Sequence, residues 1–288
     1  SMARCLDATT TEGQVFRVDF RLRPEGASGS LARSLESCAV YYQTQGAAWE
    51  SQALTRARFA AGDPEAGRQF AELATTVAFG TRVGRAGIAS IRRNRERLDQ
   101  RAEADRDVKE GRGGIRDIEF TTQLLQLVRG VTDPAVRARN TWDALAALTR
   151  AGAIAEHERR TLSEAYDFLR RVEHLLQIQP VAPTRLLPTD RGALRRLARG
   201  LGYRDSGPLQ AGTRFLEDYR GHTAAARELC QRLFFNPIPF ASPDADQAIQ
   251  DLLDPVQDDA EVLRYLADIP FNDPPQARRR LLFLAHGE

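Results

Sequence analysis

An alternating segment near the N-terminus carries the charged side chains whose spacing is most suggestive of chemistry. Residues 15–23 read VFRVDFRLR, so apolar and charged side chains alternate. In a β-strand this period would align Arg17, Asp19, Arg21 and Arg23 on one side, about 7 Å apart. Guanidinium groups bind phosphate oxygens in pairs, and a carboxylate can hold a divalent metal that bridges the same phosphates. The pattern predicts a phosphate-binding strand face, and a solvated face with a local Asp–Arg pair is the open alternative.

A second candidate group follows in residues 49–58. Trp49 and Glu50 precede Arg56 and Arg58, and two arginines two positions apart on an extended segment would project in the same direction. This arrangement could hold an anion. Ordinary surface pairing is the alternative interpretation.

A glycine-rich turn at residues 109–119, KEGRGGIRDIE, leads into a predicted helix. The free amide groups and positive dipole of a helix N-terminus can bind an anion. Asp117 and Glu119 could instead lie in the first turn because acidic side chains complement that dipole. The spacing matches neither a Walker A loop nor a dinucleotide-binding fingerprint.

The elements that must position these residues are mostly helical. Pro24 ends the predicted strand, and Gly and Ser residues precede a helix that we expect from near Ser30 to about Gln45. Residues 47–62 predict a short helix from Trp49 followed by an extended segment. Capping and periodicity predict the remaining helices at 63–79, around 88–104, and at 115–128, 134–150, 156–178, 190–200 and 206–234.

Composition narrows the possible functions. Of the 288 residues 42% are apolar, which excludes a disordered chain, and 41 basic against 39 acidic residues give a net charge of only +2. This balance disfavours general nucleic-acid binding, although seven arginines between Arg82 and Arg101 leave it open beside a solvated helix face. The three cysteines lack metal-site or disulfide spacing, and no apolar run is long enough for a membrane span. We therefore expect a cytoplasmic protein with no membrane or nucleic-acid partner.

Several long segments resemble one enzyme family. They are VFRVDFRLRPEGASGSLARSLESCAVYYQTQGAAWESQALTRARFAAGD, VKEGRGGIRDIEFTTQLLQLVRG, AYDFLRRVEHLLQIQ and LLPTD. In this order and spacing they resemble the bifunctional glutamine synthetase adenylyltransferase/adenylyl-removing enzymes, and most of all their N-terminal, adenylyl-removing half.

The resemblance implies a mainly α, α+β fold in three parts. Residues 1–104 would be the C-terminal remainder of a DNA polymerase β-like nucleotidyltransferase domain. Residues 105–235 would form an antiparallel helical bundle, and residues 236–288 would be a linker with short helices leading to the next region.

The resemblance also implies a chemistry. The parent enzyme would transfer AMP to a tyrosine of glutamine synthetase or remove it by phosphorolysis to ADP, using Mg²⁺ and with ATP or ADP as substrate or product. Glutamine synthetase would be the protein partner, together with a PII-type nitrogen-signalling protein.

The resemblance also implies roles for the residues of this sequence that match the family's motif positions. Asp19 matches the third metal-binding carboxylate, and Arg17, Arg21, Arg23, Arg56 and Arg58 would line the nucleotide or phosphate side. Glu50, Arg116, Asp117 and Glu119 would lie near the cleft between domain and bundle.

One departure from the family pattern concerns catalysis. The Gly-Ser and Asp-x-Asp segment expected before Asp19 is not in this sequence. We therefore expect a chain that is incomplete at its N-terminus and inactive alone. The alternative is a non-catalytic helical module that docks glutamine synthetase or a nitrogen-signalling protein.

Overall fold

A computed structural model of the chain describes residues 11, 19–80, 91, 93, 95, 105–178, 184–206 and 210–235. The chain separates at Asn236 into two units, residues 1–236 and 237–288, and all described residues belong to the first. The predicted linker and short helices of residues 236–288 lie outside the described residues, as does Arg17.

The described part of the chain is helical. Eight α-helices have both ends within the described residues: α1 (Leu35–Thr44), α2 (Ala48–Leu54), α3 (Pro64–Phe79), α4 (Ile115–Arg129), α5 (Thr141–Arg150), α6 (Glu156–Gln177), α7 (Arg191–Gly200) and α8 (Ala211–Phe235). Residues 91, 93 and 95 are helical as well. Short 3₁₀ turns occupy Gly26–Ser28 and Pro134–Val136. No helix among the described residues is both long and apolar enough to cross a bilayer.

Local capping explains why several helices begin where the sequence predicts. The Asp63 carboxylate accepts a hydrogen bond from Ala66 N at 2.7 Å, with Pro64 in the first turn of α3. Asp190 accepts from Ala193 N in the same way at the start of α7. The predicted helices at 63–79, 115–128, 156–178 and 190–200 are thus confirmed to within one residue at each end.

The strand prediction was wrong where the structure describes it. Residues 19–23 are irregular, and no residue in the described ranges belongs to a β-strand. The Asp19 carboxylate accepts a hydrogen bond from Arg21 N at 2.9 Å, a local bond that competes with an extended ladder. An isolated antiparallel β-bridge joins Asp107 and Leu186.

Three helix predictions needed new starting points. The first helix begins after Ser34, whose hydroxyl caps Ser37 N, and not near Ser30. The predicted helix at 134–150 is divided, because the Asn140 side chain accepts from Asp143 N and starts α5 afresh. Helix α8 begins at Ala211, whose N–H donates to Asp205 at 2.9 Å.

Helices α4–α8 pack around an apolar core. Helix α8 lies against α4, α6 and α7, while α5 contacts α4 and α6. Fully buried side chains in this core include Ile115, Ile118, Leu124, Leu145, Leu148, Leu162, Leu169, Leu176 and Phe215. Burying each of these contributes roughly 1.5–3 kcal/mol relative to exposure. We call helices α4–α8 the bundle; its antiparallel arrangement stays a prediction.

Helices α1–α3 form a smaller group beside the bundle. Helix α3 packs against both α1 and α2, and α2 and α3 also contact α4. This arrangement brings α2 and α3 against the bundle and positions the site described next. The predicted domain boundary at residue 104 and the polymerase β-like fold stay predictions.

Candidate functional site

Asp19 and Arg21 pair with each other. Arg21 Nε lies 2.9 Å from Asp19 Oδ1, and Arg21 Nη2 lies 2.7 Å from Asp19 Oδ2. Both side chains are exposed, and hydrogen bonding to the carboxylate raises the pKa of Arg21. This geometry corresponds to the local Asp–Arg pair that the sequence left open.

Arg23 holds the loop that follows. Its Nε and Nη2 donate to the Gly29 carbonyl at 3.1 and 2.8 Å, and Nη2 also reaches the Ala27 carbonyl at 3.2 Å. A further bond joins Nη1 to the Phe20 carbonyl. The guanidinium therefore closes the loop of residues 20–29 while its side chain remains on the wall of a groove.

This groove has a volume of about 440 Å³ and lies among the 22–35 loop, α1, α2 and the start of α3. We call it the arginine-lined groove. Its wall includes the polar and aromatic residues Arg23, Arg33, Tyr42, Trp49, Glu50 and Arg56, with Leu22, Leu31, Leu54 and Phe70 among its apolar members. Three of the predicted site residues, Arg23, Glu50 and Arg56, are thus brought together.

Glu50 is the buried acid of the groove. Its carboxylate accepts hydrogen bonds from Tyr41 Oη at 3.1 and 3.2 Å and from Ala47 N at 2.8 Å. By accepting from Ala47 N, the Glu50 carboxylate caps the N-terminus of α2. The Arg33 guanidinium lies 5.5 Å from the centre of the Tyr41 ring and pairs with Glu25 at 3.0 Å. These contacts fix the acidic side chain and one wall of the groove.

Arg56 links the groove to the bundle. Its Nη1 donates to the Arg139 carbonyl, and Nη2 lies 3.4 Å from Thr141 Oγ1. Burial lowers the pKa of Arg56, and the charge of Glu119 opposes that shift. Among the described residues no hydrogen bond uses Arg56 Nε, so this group retains a donor for an anion.

Glu119 lies on the bundle side of Arg56. It accepts a hydrogen bond from Tyr166 Oη at 2.8 Å. Burial, with Glu119 nearby, raises the pKa of Tyr166 to about 12, so the phenol remains a proton donor at neutral pH. The edge of the Trp142 ring system also packs against Tyr166, with ring centres 4.8 Å apart.

Arg58 does not point into the same space as Arg56. The helix expected from Trp49 is present as α2, but Arg56 belongs to a turn that closes through Arg56 N and the Ala53 carbonyl. Arg58 is exposed and lines a separate, smaller groove of about 330 Å³ with Phe59 and Phe70.

Asp117 is buried in an ion-pair cluster. Its carboxylate accepts from Arg95 Nε, from Gly113 N at 2.6 Å and from Arg227 Nη1 at 3.4 Å. The carboxylate therefore occupies the helix N-terminus where an external anion was considered. Burial raises the pKa of the nearby Cys230 thiol to about 12, which keeps it protonated.

Arg116 occupies a different side of α4. Its guanidinium lies 5.5 Å from the centre of the Phe120 ring, and its Nη1 is 3.9 Å from Glu110 Oε1. Neither Arg116 nor Asp117 is among the residues that line the arginine-lined groove. Their predicted role in a cleft stays a prediction.

Comparison with known proteins identifies the family of the chain. Residues 85–234, slightly more than half of it, match the family model described as GlnD PII-uridylyltransferase, and residues 1–73 match that of glutamate-ammonia ligase adenylyltransferase. A Streptomyces coelicolor relative is 38% identical over 240 residues, and one from Mycobacterium avium is 40% identical over 228. Both are named bifunctional glutamine synthetase adenylyltransferase/adenylyl-removing enzyme. The chain belongs to this family.

The match covers a part of those enzymes. It takes in 82% and 77% of this chain but only 24% and 23% of the two relatives. The chain thus spans about a quarter of the length of these curated adenylyltransferases. The resemblance carried by the arginine-rich, Trp-Glu and Gly-Gly-Ile-Arg-Asp segments is confirmed at the level of the family.

A magnesium site of this adenylyltransferase family would need several carboxylates. Both Asp19 oxygens already accept hydrogen bonds from Arg21. Among the described residues no three His, Cys, Asp or Glu side chains form a group that could hold a metal ion. The described residues alone therefore do not fit Mg²⁺.

Sequence reasoning missed Arg33 as a residue of the groove. Arg33 immediately precedes the Ser34 cap of α1 and resembles an ordinary surface arginine in the sequence. Only its position over Tyr41 and beside Glu25 places it on the groove wall. Trp49, which the sequence singled out together with Glu50, proves to be a wall residue with 41% of its surface exposed.

Proposed function

We propose that this chain contributes a nucleotide-binding groove to an enzyme that modifies glutamine synthetase. The enzyme would transfer AMP to a tyrosine of glutamine synthetase or remove it by phosphorolysis to ADP, in the control of nitrogen metabolism. The single observation that carries this proposal is the arginine-lined groove within a chain of this family. We assign the chain to the N-terminal, adenylyl-removing half.

The charges of the groove suit the phosphates of ADP or inorganic phosphate. Arg56 retains its Nε donor and Arg33 lies on the same wall, and guanidinium groups bind phosphate with charge-assisted hydrogen bonds. The half-exposed Trp49 ring offers a face on which an adenine can stack. Arg23 would shape the loop beside the phosphates, and Arg17 and Arg21 are further phosphate-side residues by family resemblance, whereas Arg58 lines the separate smaller groove.

Phosphorolysis needs an oxygen of inorganic phosphate to attack the phosphorus of the AMP group and the tyrosine oxygen to leave. Cationic groups lower the barrier of such a displacement by neutralising charge on the phosphoryl oxygens. In this proposal Arg56 and Arg33 hold and orient the phosphates, while Glu50 keeps α2 in place through its cap. In the family resemblance Arg116, Asp117 and Glu119 would lie on the bundle side of the predicted cleft, although none of them lines the arginine-lined groove.

Mg²⁺ belongs to the proposal through the family. It would supply charge neutralisation to the phosphates when bound. The described residues do not by themselves form its site, so the role of Asp19 as a ligand stays a prediction of the family resemblance. Because Arg21 occupies both Asp19 oxygens, phosphate binding in this proposal depends on the arginines and not on the metal.

Two further assignments complete the proposal. Glutamine synthetase is the protein substrate, and a PII-type signalling protein is a second partner. We place the protein in the cytoplasm, where thiols stay reduced, because Cys38 and Cys230 are both free and buried.

Arg56→Gln is expected to weaken ADP binding by the 288-residue chain. Loss of one charge-assisted hydrogen bond costs about 1.5–3 kcal/mol, which corresponds to a dissociation constant roughly 10- to 100-fold higher. Isothermal titration calorimetry with ADP, with and without Mg²⁺, measures this change. Inorganic phosphate titrated alone would separate phosphate recognition from base stacking.

Arg68→Gln is the matched control, because Arg68 is an exposed arginine of α3 that pairs with Glu65 and Glu72. Its ADP affinity should equal that of the unchanged chain. If the unchanged chain binds glutamine synthetase but neither ADP nor phosphate, the groove proposal fails and the non-catalytic docking module takes its place.

A further inference from the structure

Two polar links join the wall of the arginine-lined groove to the bundle. The first is a hydrogen bond of 2.7 Å from Gln52 Nε2 to Gln123 Oε1. Gln52 lies on α2 and Gln123 on α4, and both residues are at least nine-tenths buried. Two buried amides 71 positions apart in the chain therefore satisfy each other.

The second link begins just beyond α2. Arg56 donates to the Arg139 carbonyl, and its Nη2 lies 3.4 Å from the hydroxyl of the buried Thr141. Thr141 is the first residue of α5 in the bundle, and Arg139 lies two residues before it. The arginine with a donor left for an anion is thus oriented by groups 83 and 85 positions away in the chain.

Both links act on one short element. Helix α2 has seven residues and carries Trp49 and Glu50 on the groove wall, with Arg56 two residues beyond its end. A helix of this length does not hold its place through intrinsic propensity, so tertiary contacts must position it. Helix α3 supplies apolar packing, while the two links supply bonds that are directional.

We infer that the bundle sets the geometry of the groove through these links, and that Gln123 and Thr141 are positioning residues for its ligand. This inference rests on the proposed function for the identity of the ligand. Its structural part, that bundle residues control the position of α2 and Arg56, can be measured without any ligand.

The physical basis is the penalty for an unsatisfied buried amide. If Gln123 becomes apolar, Gln52 Nε2 loses its acceptor, and an unpaired buried donor costs about 1–3 kcal/mol. Helix α2 can avoid that cost by moving toward solvent, which would carry Trp49 and Arg56 with it. Replacing both glutamines by leucines removes the unsatisfied group and restores close packing.

Trp49 provides a direct readout. The sequence contains two tryptophans, so a Trp142→Phe background leaves Trp49 as the single fluorophore on the groove wall. In this background Gln123→Leu should increase acrylamide quenching of Trp49 and weaken ADP binding roughly 5- to 100-fold. The Gln52→Leu/Gln123→Leu variant should recover part of the protection of Trp49 from quenching and part of the ADP affinity.

Glu173→Gln is the matched control for general destabilisation. Glu173 is a buried bundle residue that pairs with Arg170 at 2.7 Å and Lys109 at 3.5 Å, and it lies outside the groove wall. The Glu173→Gln substitution should lower the melting temperature while leaving Trp49 quenching and ADP affinity unchanged.

Thr141→Val is a milder second variant that keeps the side-chain volume, and it should weaken ADP binding while the chain stays folded.

The outcomes separate the two proposals. The positioning role is overturned if the folded Gln123→Leu variant shows unchanged Trp49 quenching and the Thr141→Val variant shows unchanged ADP affinity. That role also fails if Glu173→Gln increases Trp49 quenching as much as Gln123→Leu does. If the unchanged chain does not bind ADP, the proposed function fails, and Trp49 quenching still decides whether the bundle positions α2.

Discussion

Asp117→Asn should lower the free energy of unfolding by about 3–5 kcal/mol, the typical cost of removing one partner from a buried ion pair. Asp117 and Arg95 side chains are each only 3% exposed, and Arg227 contributes a second guanidinium at 3.4 Å. The substitution preserves shape but removes the negative charge that pairs with both guanidinium groups. It also weakens the bond from Gly113 N that shapes the turn before α4.

Chemical denaturation followed by circular dichroism would measure this change. Glu65→Gln is the control, because Glu65 pairs with Arg68 on the exposed surface of α3, where solvent screens the ion pair and its contribution to stability is small. A loss below about 1 kcal/mol for Asp117→Asn would show that the buried cluster does not depend on the charge of Asp117.

Gly113→Ala is expected to cost about 2–5 kcal/mol, because two penalties add at this position. Gly113 has φ +67°, a left-handed conformation that costs an L-residue about 1–2 kcal/mol. A Cβ there would also lie 1.9 Å from the Thr223 carbonyl oxygen of α8. Relieving such a clash with backbone costs roughly 1–3 kcal/mol more. The turn before α4 and helix α8 would have to separate.

Gly152→Ala separates the two penalties. Gly152 has φ +70°, and a Cβ there would meet nothing within 4 Å. Its substitution should therefore cost only the conformational term, about 1–2 kcal/mol. Equal melting temperatures for the Gly113→Ala and Gly152→Ala variants would mean that the close approach of Gly113 to α8 does not limit stability.

Helix positions followed from local signals when those signals agreed. Asp63-Pro64 and Asp190 begin α3 and α7 as predicted, since capping depends on residues within one turn. The predicted strand at 15–23 failed over residues 19–23, because alternation specifies a strand only when a partner supplies the ladder bonds. The divided helix at 134–150 shows that Asn140 could act as a cap inside an otherwise continuous helical pattern.

The residues of the candidate site were harder to predict from the sequence than the positions of the helices. The sequence pointed to Glu50 and Arg56 as members of one segment, and both lie on the groove wall. It also grouped Arg56 with Arg58, which the turn after α2 directs into separate grooves. Arg33 went unnoticed because nothing in its neighbours along the chain distinguishes it from a solvated arginine.

By itself the sequence determined the family, the helical character and most helix starts, because these depend on residue types at fixed short spacings. Only the tertiary structure decided how the charged residues divide their roles. Asp117 neutralises Arg95 in the interior, Arg21 occupies Asp19, and Arg56 keeps a donor beside the groove. The physical reason is that burial and ion pairing depend on partners that folding brings together from distant positions, such as Gln52 and Gln123 across 71 residues.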